Sequence, residues 1–233
     1  MNRPINMLFN GDIVGFLLNI LVLLPALLIA VSFHEFSHAW MANRMGDPTA
    51  KNLGRVTLDP TKHFTIWGIV MFLFIGFGWG RPVPTNPRNY DNYRKGNILV
   101  ALAGVTMNMI IAIIFMIILS LLTISGVYDF ILPYQILALP TVSNIIHNIL
   151  FYIAFLNLIL CFFNLIPVPP LDGHHLVKGI IARRMPRFYP TYMRFGFIAL
   201  MLVFFMVPGV SSFLVTLCYG IMRGVAFIFG APF

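Results

Sequence analysis

The sequence predicts an all-α polytopic membrane protein with about five transmembrane helices and one re-entrant hairpin, helical or β-type, after the first of them. Three observations carry this. Of the 233 residues, 59% are hydrophobic and only 9% are charged, against roughly a quarter charged in a soluble domain, so too little polar surface is present to face water. The apolar residues fall into runs near the ~20 residues that one bilayer crossing needs. Lys and Arg gather in the short stretches between those runs. That distribution reads as a topology signal and argues against nucleic-acid binding, despite a net charge of +8.

Taken in order, the first apolar run covers 13–33 and continues helically toward Met41. It is too long for a signal peptide and lacks a small-residue cleavage site. A basic stretch with Arg44, Lys51, Arg55 and Lys62 follows, then the short apolar run 66–77, which ends in the glycine-rich Gly76-Phe77-Gly78-Trp79-Gly80. About twelve residues make only ~18 Å of helix, against a hydrocarbon core of ~30 Å. With basic loops on both flanks, this run is expected to enter the bilayer and return on the same side. Non-helical backbone at that depth survives only beside protein or a watery cavity. Long runs at 97–124 and 144–166 and a closing pair at 195–207 and 211–229 supply the remaining spans. The loops at 42–65, 79–96 and 167–194 are basic, whereas 125–143 has no Lys or Arg and one acid, Asp129. Basic loops belong inside, which puts the amino terminus outside and the carboxyl terminus in the cytoplasm of a cell membrane. The expected organisation is one membrane-embedded domain over 1–233, with a core of about 14–185 and a C-terminal helical pair at 193–230. Cys161 and Cys218 lie inside apolar runs and read as small buried hydrophobes.

Glu35 is the only glutamate, and it stands near the cytoplasmic end of the first span. An ionisable group at such depth is costly and marks function by default. Its neighbours form the pattern His34-Glu35-Phe36-Ser37-His38. On a helix, residues four apart share a face, so both imidazoles can hold one metal ion while the glutamate serves as a general base without being a ligand. A catalytic zinc needs a third protein ligand. His147 falls at the opposite end of its span and His63 in a basic loop. That leaves His174, His175, Asp47, Asp59 and Asp172 on the inner side. Asp172 follows a proline-broken span end, 164–173, where the chain can turn back into a cavity. The chemistry favours Asp172, with His174 and His175 as alternatives.

These motifs resemble the site-2 protease family of intramembrane zinc metalloproteases. The matching pieces are HEFSHAW at 34–40, GDPTAKNLGRVTLDPTKH at 46–63, GWGRPVPTNPRNY at 78–90, AGVTMN at 103–108 and NLIPVPPLDG at 164–173. They come in the family's order and cover about 14–185; the family often has proline where Val105 stands. The resemblance implies one zinc ion per chain held by His34, His38 and Asp172, with Glu35 catalytic. It implies that Asn164 holds the substrate carbonyl or stabilises the oxyanion. It also implies that the re-entrant element holds substrate as an extended strand. The expected substrates are transmembrane segments of other proteins, cut nearer the cytoplasmic face after local unwinding. No PDZ domain of the kind found in longer members is expected in polar stretches this short. Two other classes fit less well. A metal transporter gives no reason for a glutamate between the ligands, and a non-catalytic relative would be expected to have lost one of the four residues. Asn108 reads as a hydrogen-bonding contact between helices, with Gly104 allowing their close approach.

Overall fold

The computed structural model describes residues 4–75, 78, 80–128, 141–207 and 209–232, without the side chains of 4–6, 75 and 205. Gly76, Phe77 and Trp79 of the glycine-rich turn, Asp129 with most of the loop expected outside, and Pro208 therefore lie outside the described residues. The helices are α1 (Pro4–Phe9), α2 (Ile13–Arg44), α3 (Thr49–Asn52), α4 (Pro60–His63), α5 (Ile66–Ile75), α6 (Tyr93–Ile124), α7 (Val142–Asn164), α8 (His174–Arg184), α9 (Tyr189–Met206) and α10 (Val210–Ile228). Four of them, α2, α6, α7 and α10, are long and apolar enough to cross a bilayer. The fifth expected crossing, α9, is an apolar helix of 18 residues whose first turns carry Tyr192 and Arg194.

Local chemistry sets the helix starts. The side chains of Asp12, Asn92 and Thr141 accept hydrogen bonds from the backbone N–H groups of Gly15, Lys95 and Asn144, satisfying donors that a helix leaves orphaned. The Asn92 cap begins α6 at Tyr93, four residues before its apolar run. At 32 residues, α6 is ~48 Å long, so its amino-terminal turns extend past a ~30 Å core.

α2, α6 and α7 pack on one another as the central trio, and α10 lies against α6 and α7. Small residues make this possible. Ala26 and Ala30 of α2, Ala112 of α6 and Ala154 of α7 are fully buried, letting the helix backbones approach. Around them, Met116, Leu119, Phe151, Phe155, Leu158 and Met222 form the largest apolar cluster, joined by Cys218. Cys161 and Cys218 are buried free thiols. The outer faces are apolar too. Ile110, Ile113, Ile114 and Leu121 of α6 are exposed, as lipid contact requires and water would not favour.

The short apolar run forms a helix over 66–75, so these residues are not extended. Phe64 and Gly80 pair in an isolated antiparallel bridge, and Arg81 N–H donates to His63 O at 2.7 Å. The chain thus leaves and rejoins at one point. Phe74 meets Phe16 near the start of α2, with ring centroids 5.5 Å apart. Gly80 instead lies against Val31 and Glu35. On the return limb, a β-carbon on Gly78 would stand 2.2 Å from Gly68 O, so only glycine fits there.

Candidate metal centre

The helical repeat of α2 stacks His34 and His38 one turn apart, with ring centroids 4.5 Å apart and planes at 87°. Their Nε2 atoms are 3.0 Å apart. Asp172 reaches the same point from a different helix end. α7 stops at Asn164, and the proline-rich stretch behind it curls into a loop closed by Gly173 N–H donating to Asn164 O at 2.7 Å. That loop brings Asp172 Oδ2 within 3.2 Å of both His34 Nε2 and His38 Nε2. All three ligand atoms lie within 4.8 Å of one another.

The donor set fits zinc. Ligand atoms 2.0–2.2 Å from a tetrahedral ion stand about 3.3–3.6 Å apart, slightly wider than the 3.0 and 3.2 Å spacings found. Asp172 Oδ2 is buried and accepts no hydrogen bond, although two imidazole nitrogens lie near it. The three atoms cluster at one point. Their outer partners agree. His38 Nδ1 lies 2.7 Å from Val100 O, an acceptor only, so Nδ1 carries the proton and Nε2 has a free lone pair. His34 Nδ1 lies 2.5 Å from Asn108 Oδ1. The Asn108 Nδ2 donors go to Ala30 O at 3.1 Å and Asn157 Oδ1 at 2.8 Å, and Asn157 Nδ2 donates to Ile153 O at 2.8 Å. With those amide directions fixed, Asn108 Oδ1 accepts and His34 Nδ1 donates. Both imidazoles therefore present Nε2 to the centre.

Glu35, on the next face of α2, does not join the ligand cluster. It lines a cavity of about 350 Å³ shared with His34, His38, Asn164 and Asp172. Val83 N–H donates to Glu35 Oε2 at 2.9 Å. The segment that carries Val83 is pinned in turn: Arg55 Nη2 donates to Arg81 O at 2.6 Å. Asp47 is fully buried and accepts from Thr49 N–H and Oγ1–H, Asn86 N–H and Asn89 Nδ2. Burial alone would raise its carboxyl pKa, but the hydrogen bonds from Thr49, Asn86 and Asn89 outweigh it and hold the group below the usual range.

Of the candidate ligands, the structure thus brings together His34, His38 and Asp172. Asp47 staples two loops, and Asp59 caps α4 through Thr61 N–H. His63 is buried and donates from Nε2 to Thr57 O at 2.7 Å. His174 is buried at the start of α8, while His175 lines the cavity wall. Asn164 also lines that wall. Three contributors escaped the sequence reading: Asn108 as the partner of His34, Val83 N–H as the partner of Glu35, and Val100 O as the partner of His38. The asparagine at 108 was visible as a polar residue in a span, but its target was not.

Two imidazoles and a carboxylate converging at one point, inside a bundle of membrane-length helices and beside a second carboxylate that is not a ligand, define a membrane-embedded metallohydrolase. Residues 21–207 match Peptidase family M50. A relative from Bacillus subtilis (strain 168), named "Putative zinc metalloprotease YwhC", is 37% identical over 182 residues, covering 78% of this chain and 79% of that protein. "Putative zinc metalloprotease Rip2" of Mycobacterium tuberculosis (strain H37Rv) is 27% identical over 203 residues, covering 82% and 69%. No solved structure gives a significant match. The chain belongs to Peptidase family M50, the site-2 proteases. It is a multi-pass intramembrane zinc metallopeptidase whose substrates are membrane-embedded proteins.

Proposed function

We propose that the chain cuts peptide bonds within or near transmembrane segments, with His34, His38 and Asp172 holding one zinc ion and Glu35 acting as general base and acid. One observation carries the ligand assignment: Asp172 Oδ2 lies 3.2 Å from both imidazole Nε2 atoms, buried without a hydrogen bond. When bound there, zinc supplies Lewis-acid polarisation of the scissile carbonyl and acidifies water. Glu35 takes the proton from the attacking water and returns it to the leaving amine. The Val83 N–H bond to Oε2 leaves Oε1 free for that work. Asn164, on the cavity wall, donates to the developing oxyanion. A substrate helix hides its carbonyls in hydrogen bonds, so a local unwinding precedes attack.

The same reading puts the amino terminus outside, the carboxyl terminus in the cytoplasm and the centre nearer the cytoplasmic face. His38 and His34 stand six and ten residues before Arg44, or ~9 and ~15 Å along the helix. α5 is the re-entrant element: its Phe74 reaches the level of Phe16, while its flanks meet at Gly80 beside Glu35. The whole chain acts as one domain, a reading supported by the packing of α10 on α6 and α7.

Purified wild type and Glu35→Gln, assayed for bound zinc and for cleavage of a model transmembrane substrate, test the proposal. Zinc retained with cleavage abolished is the expected result. Cleavage that survives the substitution overturns the role of Glu35, and metal flux into liposomes that the substitution leaves intact favours a transporter instead.

A further inference from the structure

A second pocket, of about 440 Å³, opens beside the metal centre between the start of α6 and the length of α8. Its size falls within the ~300–1,000 Å³ of small-ligand sites. Arg94 of α6 and Lys178, Arg183 and Arg184 of α8 line it, with no acidic residue in the wall. Lys178 is held in place: its Nζ donates to Asn97 Oδ1 at 3.1 Å and lies 5.8 Å from the centre of the Tyr93 ring. Arg94, Arg183 and Arg184 have no ion-pair partner among the described residues; the ion pairs seen there join Asp172 to the two histidines. The chain cannot easily supply one, having seven acids against fifteen Lys and Arg. Four cations facing one hollow repel each other, and an external anion removes that repulsion.

The apolar half of the wall narrows the choice of anion. Ile98 and Ile180 line the same pocket and are 41% and 57% exposed, beside Tyr93 at 54%. A tyrosine and arginines next to bare isoleucines, at the end of a helix longer than the hydrocarbon core, is the pattern of a bilayer interface. A phospholipid offers a phosphate and acyl chains together; free phosphate offers no partner for the isoleucines, and an acidic peptide offers one only where its sequence adds apolar side chains. We infer that this pocket binds the phosphate headgroup of an anionic phospholipid, bridging α6 through Arg94 to α8 through Arg183 and Arg184. The position gives that bridge a purpose. Asp172 stands two residues before α8, and Asn97 and His175 line both this pocket and the metal cavity. A headgroup seated here ties the segment carrying Asp172 to α6.

The test uses the full chain in phosphatidylcholine vesicles carrying a trace of spin-labelled phosphatidylglycerol, with bound zinc as the check on folding. Wild type is expected to hold the labelled lipid selectively. Replacing Arg183 and Arg184 by Gln lowers that association by about 30-fold, from roughly fivefold per juxtamembrane charge. The exposed pair Lys51→Gln with Lys62→Gln removes the same charge elsewhere and changes it by less than about twofold. Equal losses in the two double variants would reduce the effect to diffuse surface charge and overturn the site. Displacement of the lipid by millimolar inorganic phosphate would assign the pocket to a soluble anion, and displacement by an acidic peptide would assign it to a protein segment. Either result overturns the lipid proposal.

Discussion

A β-carbon placed on Gly104 of α6 would stand 2.6 Å from His38 Nε2 and 2.7 Å from the ring of His34. The two ligand-bearing turns of α2 thus rest directly on bare backbone of α6. Gly104→Ala is expected to push both imidazoles off the shared centre and weaken zinc binding at least tenfold, an effect of the size seen when ligand-orienting partners are lost. Titration against a chelator measures this, with circular dichroism as the check that helix content is unchanged. Unaltered zinc affinity would mean that the rings relax freely.

Asn108 is the second test. Asn108→Leu removes the acceptor for His34 Nδ1–H and frees the imidazole to turn. Zinc affinity should fall by roughly 10–100-fold. Asn108→Asp retains an acceptor for His34 Nδ1–H but loses the donor to Ala30 O and Asn157 Oδ1, so it should recover only part of the loss. A defect of packing alone would not distinguish the two variants.

Gly173 closes the loop that delivers Asp172. A β-carbon there would lie 2.3 Å from Leu165 O and 2.6 Å from Ile166 O, contacts that backbone cannot relieve cheaply. Gly173→Ala should therefore cost bound zinc and cleavage together. Glu35→Gln, by contrast, should cost cleavage alone. The split between the two is the measurement.

Asp47 predicts a pH dependence. Its carboxyl titrates below its ordinary value, so it binds protons more weakly folded than unfolded. The stability it gives is complete above about pH 4, the unfolded value, and is lost as pH falls through the lower folded value. Asp47→Asn should flatten that acid limb in a thermal melt. Asp47→Ala should destabilise by about 2 kcal/mol through orphaned donors and loosen the segment that presents Val83 to Glu35. An acid limb unchanged in Asp47→Asn would remove Asp47 from that role.

The sequence disclosed what depends on spacing along one helix. His34 and His38 are neighbours because helices repeat every 3.6 residues, and runs such as 97–124 had to cross because nothing in them could face water. Contacts between distant helices left weaker traces. Asn108 reads only as a polar residue in a span until α6 is packed on α2. Asp47 looked eligible as a ligand because a lone acid carries no mark of the two loops that it joins. The conformation of 66–75 was open on glycine content alone, and Gly78 proved to serve the return limb, against Gly68. The closing pair was legible as apolar but not in its extent, since Tyr192 and Arg194 sit inside the first turns of α9.

The run of amides from Ala30 through Asn108 and Asn157 to Ile153 also works as a depth gauge for the bundle. Sliding α6 by one turn, ~5.4 Å, would part Asn108 from His34 Nδ1, Ala30 O and Asn157 Oδ1 and strand its amide in hydrocarbon, where no water waits to receive it. The axial register of α2, α6 and α7, and with it the level of the metal centre within the bundle, is thus locked by Asn108 and Asn157, which do not line its cavity.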